Sequence, residues 1–178
     1  MADKIAALLC FVFSLALAGE FEGVLAASRK NPQSLPGQEA ILPSKGKENA
    51  EIVAAVHRLV NEFRQEQGLK PLTLDPIISA EAREHSAALA RNGGSISHRG
   101  FKQRLEDIRK RIPYRAAAEN VALNVGYDNP ARAAVEGWKK SPEHRKNMLG
   151  DFSLTGIGVA QDTGGGYFFT QIFVEPLK

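Results

Sequence analysis

The sequence predicts an α/β fold, a three-layer α/β/α sandwich with a mostly antiparallel central sheet. Amphipathic helical patterns come first in the domain, and two strand-like segments, TGIGVAQ and YFFTQIFV, come late. The DTGGG segment between these strands is typical of a hairpin turn. In the second strand, Phe169 and Phe173 lie on one face, while Phe168 and Ile172 lie on the other. A strand that is apolar on both faces must be covered on both sides, which requires three layers.

Four helices are predicted in chain order. The first lies in EIVAAVHRLVNEFRQEQGL, where apolar residues recur at helical spacing, and it ends at Gly68. The second and the fourth each begin with a capping residue followed by proline, a combination that favours helix initiation. The predicted limits of the last three helices are Asp75 to Gly93–Gly94, Phe101 to Arg111, and Asn129 to Lys140. In the first strand, Gly156, Gly158 and Ala160 share a face, which predicts close packing by another element.

Residues 1–27 are predicted to be a signal peptide with its cleavage region. The apolar run from Ile5 to Ala18 ends in small residues and is shorter than the roughly 20 residues that a membrane span requires. We expect cleavage near Ala18, with a site near Ala27 as the alternative and an uncleaved anchor as the other interpretation. The predicted location is therefore secreted, periplasmic or extracellular, with no membrane span after cleavage.

The single cysteine, Cys10, lies inside this segment, so the exported chain is expected to contain no disulfide, cysteine nucleophile or thiolate metal site. Residues 28–50 contain three prolines and little hydrophobic periodicity, which predicts a flexible spacer before a single domain at 51–178. Removal of residues 1–27 takes away one lysine and three acidic residues, and it raises the net charge from +3 to +5. Such a charge favours contact with anionic surfaces.

Two histidines stand at junctions between elements, while His57 and His85 lie inside helices and are expected to be structural. His98 follows the Gly-Gly helix end, and His144 comes three residues after Ser141. Ser141, Pro142 and Glu143 together form a good helix start, but that start does not require a histidine.

Glu119 lies between these histidines in AAAENVALNVG, a stretch of small and apolar residues. A buried carboxylate there needs a partner. Nearby backbone N–H groups, Arg115, or a cluster with His98 and His144 are the alternatives.

Five segments in order resemble the CAP superfamily, also called SCP-like, and in particular its bacterial extracellular branch. The helix pair VNEFRQEQGLKPLTLDPIISAEAREHSAALA is similar to the opening of that domain, and TGIGVAQDTGGGYFFTQIF is similar to its closing hairpin. Between them, SISHRGF resembles the first His motif, AENVA the Glu-Asn motif, and GWKKSPEHRKNML the bacterial Trp-x-x-Ser-Pro-x-His motif.

The resemblance implies an α/β/α sandwich with a central cleft, in which many members place two His and two Glu that bind a divalent ion. His98 and Glu119 match the first His and the first Glu, whereas Ser141 and Phe168 stand where the second pair would be. Because His144 lies one helical turn from Ser141, we expect its ring to reach the same cleft. The expected ligand set for a divalent metal such as Zn is His98, Glu119 and His144, with an open position. Expected cleft neighbours are Asn120, Ser141 and Gln171.

Two functions follow from the resemblance and the residues. The preferred one is an extracytoplasmic binding module with a polar His/Glu cleft, whose ligand is a protein, cell-wall material or a lipid. The alternative is a metal-assisted hydrolase or protease in which Glu119 acts as general base, or a metal-free version with Ser141 as nucleophile and His144 as base. No nucleic-acid partner is expected, because few aromatic residues accompany the basic segment FKQRLEDIRKRIPYR. That segment is expected to contact anionic surfaces at most.

Overall fold

The structure, a computed structural model, describes residues 45–92 and 95–177. The predicted signal peptide, residues 28–44 of the predicted spacer, and the Gly93–Gly94 helix end lie outside these residues. Residues 45–50, which the sequence analysis placed in the spacer, are helical. In chain order the described elements are α1 Lys45–Glu66, β1 Thr73–Leu74, α2 Pro76–Arg91, α3 Phe101–Arg109, β2 Tyr114–Asn124, α4 Pro130–Lys140, α5 Pro142–Met148, β3 Leu154–Gln161 and β4 Tyr167–Pro176.

The central sheet has four strands in the order β1-β3-β4-β2. The two-residue β1 pairs with β3 in parallel, whereas β3 and β2 flank β4 in antiparallel orientation. The predicted hairpin is formed by β3 and β4, with Gln161 opposite Tyr167 next to the turn. The predicted α/β fold with a mostly antiparallel sheet is therefore confirmed.

Both faces of the sheet are covered. On one face Phe169 and Phe173 are fully buried in a core with residues of α1, α4 and α5, including Trp138. On the other face Phe168 and Ile172 pack with residues of α2 and α3. The burial of aromatic and aliphatic side chains on both sides of one strand is the main source of cohesion between the layers. Among the described residues, no helix combines the length and apolar character needed to cross a membrane.

The glycines of β3 bring α2 into backbone contact with the sheet. A Cβ atom built on Gly156 would lie 2.2 Å from the carbonyl carbon of Ile78, and one on Gly158 would lie 2.2 Å from the carbonyl oxygen of Ala82. These distances leave no room for any side chain, which confirms the close packing predicted from the small-residue face. The close contact places the polar residues of α2 directly over β4.

The predicted starts of α2 and α4 are confirmed. The Asp75 carboxylate accepts hydrogen bonds from two backbone N–H groups of α2, and the Asn129 side chain accepts one from Arg132. Ser141 occupies the predicted N-cap position of α5, but its side chain makes no capping hydrogen bond. Pro142 at the first helical position and Glu143 in the first turn remain as the local signals for α5.

Strand β2 was not predicted. Its sequence, YRAAAENVALN, contains four alanines and one β-branched residue, so strand propensity is weak. It lies at the edge of the sheet, where it pairs with β4 from Tyr114 to Asn124. Side chains alternate along it. Ala118 and Ala122 face the α1/α4/α5 side, while Ala117 and Val121 pack on the α2/α3 side.

Candidate functional site

The Glu119 carboxylate is the centre of a buried polar cluster on the α2/α3 side of the sheet. Glu119 is 5% exposed. Arg104 of α3 donates from Nε to Oε2 at 3.0 Å, and from Nη2 to Oε1 at 2.8 Å and to Oε2 at 2.7 Å. Both carboxylate oxygens therefore bind the same guanidinium, which is the strongest geometry for an Arg–carboxylate pair. This pair supplies the partner that a buried carboxylate needs.

His98 binds the same carboxylate from the segment before α3. Its Nδ1 lies 2.9 Å from Oε1 of Glu119. Arg104 Nη1 donates to the main-chain carbonyl of Arg99 at 2.9 Å, which ties the His98 segment to α3. The structure thus brings together His98 and Glu119, the two residues that match the first His and first Glu of the motif.

His85 of α2 also belongs to this cluster, which the sequence analysis did not anticipate. Its Nδ1 lies 3.9 Å from Oε2 of Glu119 and 3.1 Å from the Thr170 hydroxyl. Burial lowers the pKa of His85 to about 4, although the Glu119 charge acts in the opposite direction. The ring is therefore neutral at pH 7. We name the set of His85, His98, Arg104 and Glu119 the Glu119 centre.

Arg115, one of the partners considered for Glu119, binds elsewhere. Its guanidinium lies 2.8 Å from a carboxylate oxygen of Asp151 and 3.7 Å from one of Glu175, near the surface. The pairing of β2 with β4 shifts register between Tyr114 and Ala116, at the position of Arg115. The sequence around Glu119 does not indicate its actual partner, Arg104, because Arg104 lies on a separate element, α3.

His144 lies on α5, on the α1/α4/α5 side of the sheet. It is 4% exposed, and neither ring nitrogen has a hydrogen-bond partner among the described residues. Burial, and to a lesser extent the charge on His98, lower the pKa of His144 to about 4. Its main-chain carbonyl accepts a hydrogen bond from Asn120 at 3.1 Å. Asn147 joins the same network by donating to Oδ1 of Asn120 at 2.9 Å.

The other expected neighbours lie on the same side of the sheet as His144. Asn120 and Gln171 are opposite each other in the β2–β4 register, on the α1/α4/α5 side. Gln171 is fully buried and donates from Nε2 to the Thr155 hydroxyl at 3.1 Å. Ser141 is buried on the same side, and it does not bind the His144 ring, since both ring nitrogens lack a partner. The Ser141–His144 pair of the metal-free hydrolase alternative is therefore not formed.

These residues do not fit the divalent ion that the resemblance implies. Within residues 45–92 and 95–177, no group of three or more His, Cys, Asp or Glu side chains is arranged to hold a metal ion. The space beside the Glu119 carboxylate is taken by the Arg104 guanidinium, which would repel a cation. Phe168, at the position implied for the second His, is fully buried in a small apolar cluster with Leu89 and Val121.

A groove of about 330 Å³ lies on the α1/α4/α5 side of the sheet, between the start of α1 and the loop that precedes α4. Its lining combines carboxylates, two tyrosines and aliphatic side chains. The Tyr167 hydroxyl donates to the Glu48 carboxylate, and this bond raises the pKa of Tyr167. We name this the acidic groove; it is lined by Glu48, Glu51, Ile52, Ala55, Tyr127, Asp128, Asn129, Pro130, Ala131 and Tyr167.

Relatives of the chain occur in bacteria. It is 34% identical over 123 residues to the uncharacterized protein YkwD of Bacillus subtilis, covering 67% of this chain and 45% of that protein. It is also 34% identical over 122 residues to the uncharacterized membrane protein YlbC of the same organism, covering 66% of this chain and 32% of that protein. The chain thus spans less than half the length of these two relatives.

Solved structures share the fold. An extracellular protein containing an SCP domain from Bacillus anthracis is 26% identical, with a TM-score of 0.64 over 78% of this chain and 45% of that one. A cysteine-rich secretory protein from Staphylococcus aureus is 22% identical, with a TM-score of 0.58 over 72% of this chain and 40% of that one. Residues 57–173, which include the Glu119 centre and the whole sheet except Val174, Glu175 and Pro176 of β4, match the cysteine-rich secretory protein family. The chain therefore belongs to the CAP family, the cysteine-rich secretory protein family.

Proposed function

We propose that this chain is an exported CAP domain that works as an extracytoplasmic binding module and binds basic peptide segments in the acidic groove. Export is supported by the apolar N-terminal run and by the extracellular SCP-domain relative from Bacillus anthracis. The single observation that carries the binding role is the groove itself, a concave surface that combines carboxylates with exposed aromatic area.

The ligand class follows from charge and shape. Glu48, Glu51 and Asp128 supply negative charge, and no described residue that lines the groove is a lysine or arginine. Tyr127 is 51% exposed, so its ring is available to a cation. Lysine and arginine side chains have an aliphatic stem and a cationic end, which match the apolar wall at Ile52 and the carboxylates around it.

The Glu119 centre has a structural role in this proposal. A general base must be free to take a proton from water or substrate. Both oxygens of Glu119 bind Arg104, and one of them also binds His98. No observation favours the hydrolase alternative, since Glu119 is engaged and the Ser141 hydroxyl does not bind His144.

The proposal is tested by titrating the purified chain with a short lysine-rich peptide and with a glutamate-rich peptide of equal length. We expect binding of the lysine peptide only. The double variant Glu51→Gln/Asp128→Asn removes two of the groove charges, and we expect it to weaken binding by about tenfold or more, about 1.4 kcal/mol.

The matched control is Glu62→Gln, because Glu62 is an exposed α1 carboxylate that pairs with Arg58 and does not line the groove. It removes a charge from the same helix and should leave the affinity unchanged. Equal binding of the acidic peptide, or an affinity that the groove variant does not change, would reject the acidic groove as the binding site.

A further inference from the structure

We infer that Arg104 is the resident cation of the Glu119 centre and occupies the place of the divalent ion that the resemblance implies. This inference is independent of the acidic groove, since no residue of the Glu119 centre lines that groove. It assigns to one arginine the two tasks that a bound divalent ion would otherwise perform there: neutralising a buried carboxylate and joining separate chain segments.

The first task is visible in the contacts of the guanidinium. Its planar fork places Nε and Nη2 on the two oxygens of Glu119, at 3.0 and 2.8 Å. The Glu119 side chain is 1% exposed and that of Arg104 is 11% exposed, so little water screens the pair. A lysine could not reproduce this fork, because its ammonium is a single point charge.

The second task is visible in the segments that the guanidinium joins. Arg104 belongs to α3, Glu119 belongs to β2, and the Arg99 carbonyl that accepts from Nη1 lies between His98 and α3. These contacts hold the His98 segment against the edge strand of the sheet. A divalent ion bound to His98 and Glu119 would connect the same two segments.

Two imidazoles lie beside the carboxylate and would be the side chains nearest to an ion that replaced Arg104, although the described residues are not arranged as a metal site as they stand. His98 Nδ1 faces Oε1 at 2.9 Å, and His85 Nδ1 is 3.9 Å from Oε2. Two imidazoles and one carboxylate are a common set of protein ligands for zinc. With Arg104 in place, its guanidinium supplies the positive charge on both carboxylate oxygens, and an added divalent ion would have to displace it.

The experiment compares the full chain with Arg104→Met, Glu119→Gln, and the double variant Arg104→Met/Glu119→Gln. Thermal unfolding is followed with and without Zn²⁺, and Zn²⁺ binding is measured by calorimetric titration of the metal-stripped proteins. Arg115→Met is the matched control, because this exposed arginine pairs with Asp151 on the surface.

We expect no micromolar Zn²⁺ binding by the unmodified chain or by Arg115→Met. Arg104→Met leaves a buried carboxylate without its cation, and its melting temperature should fall by about 10 °C or more. Zn²⁺ should raise the melting temperature of Arg104→Met alone. The double variant has no buried charge to compensate, so it should be more stable than Arg104→Met and insensitive to Zn²⁺.

Three results would overturn the inference. The first is micromolar Zn²⁺ binding by the unmodified chain that Glu119→Gln abolishes. The second is an Arg104→Met protein as stable as the unmodified chain. The third is an Arg104→Met protein that Zn²⁺ does not stabilise. If Arg104→Met does not fold alone, refolding with and without Zn²⁺ decides the question, and the double variant shows whether the lost charge pair is the cause.

Discussion

The two ring nitrogens of His144, which have no hydrogen-bond partner in the described part of the chain, lead to a quantitative prediction for His144→Leu. A buried polar group without a hydrogen bond costs about 1–3 kcal/mol relative to one that stays in water. Leucine removes both nitrogens and therefore the cost of burying them. Its volume is similar to that of histidine, so imperfect repacking should cancel only part of the stability gained. We therefore expect His144→Leu to increase the free energy of unfolding by about 1 kcal/mol at pH 7.5.

The same substitution should have a larger effect in acid. The pKa of His144 is about 4 in the folded chain and about 6.5 in the unfolded one, so the unfolded state takes up the proton first as the pH falls. The stability due to the neutral ring is complete above pH 6.5 and is lost as the pH falls from about 6.5 to about 4. At pH 5 this loss amounts to about 2 kcal/mol, which His144→Leu avoids.

The assay is urea unfolding of the unmodified chain and of His144→Leu at pH 7.5 and at pH 5. The stability difference between the two proteins should grow from about 1 to about 3 kcal/mol. Lys146→Ala, an exposed substitution on the same helix, serves as control and should show no such growth. His85 retains its own lowered pKa in both proteins, so some acid sensitivity remains. Imperfect repacking around leucine should cost no more than about 1 kcal/mol. If His144→Leu is less stable than the unmodified chain by about 2 kcal/mol or more at pH 7.5, the ring has a partner and the reasoning is refuted.

Two further predictions concern packing and surface charge. Gly158→Ala should destabilise the chain by about 3 kcal/mol or more in urea unfolding, because its Cβ would lie 2.2 Å from the Ala82 carbonyl oxygen. The control is Gly137→Ala in α4, whose Cβ meets nothing within 4 Å and which should stabilise the chain by about 0.5–1 kcal/mol. Equal effects of the two substitutions would contradict the close α2–β3 packing. For the proposed contact with anionic surfaces, retention of the chain on a sulfated resin should fall as the salt concentration is raised. The double variant Lys102→Glu/Arg111→Glu, at two exposed positions, should elute at a lower salt concentration. Unchanged elution of this variant would show that these two residues do not make the contact.

The helices and the hairpin could be predicted from the sequence because their signals are local. The Asp75-Pro76 start and the small-residue face of Gly156 and Gly158 each specify a structure within a few residues. Strand β2 could not be predicted in this way. Its alanines are weak strand formers, and it is a strand because β4 provides an antiparallel partner along its length.

The candidate site shows the same division. The resemblance brought His98 and Glu119 into one site, and they are in contact. The resemblance gave no indication of Arg104 or His85, which are 15 and 34 positions away from Glu119 along the chain. Their approach to Glu119 depends on how α2 and α3 pack on the sheet.

The sequence by itself determined the order of the helices and the hairpin and the two apolar faces of β4, and its resemblance to the family indicated the pairing of His98 with Glu119. The tertiary structure decided which side of the sheet each polar residue occupies. Side chains alternate along a strand, so the neighbours Glu119 and Asn120 point to opposite layers. Glu119 therefore meets the Arg104 guanidinium under α3, while Asn120 binds the main chain of His144 under α5. The reason is physical: a strand with a period of two residues separates adjacent side chains by the full thickness of the sheet, and only the packed layers determine what each of them contacts.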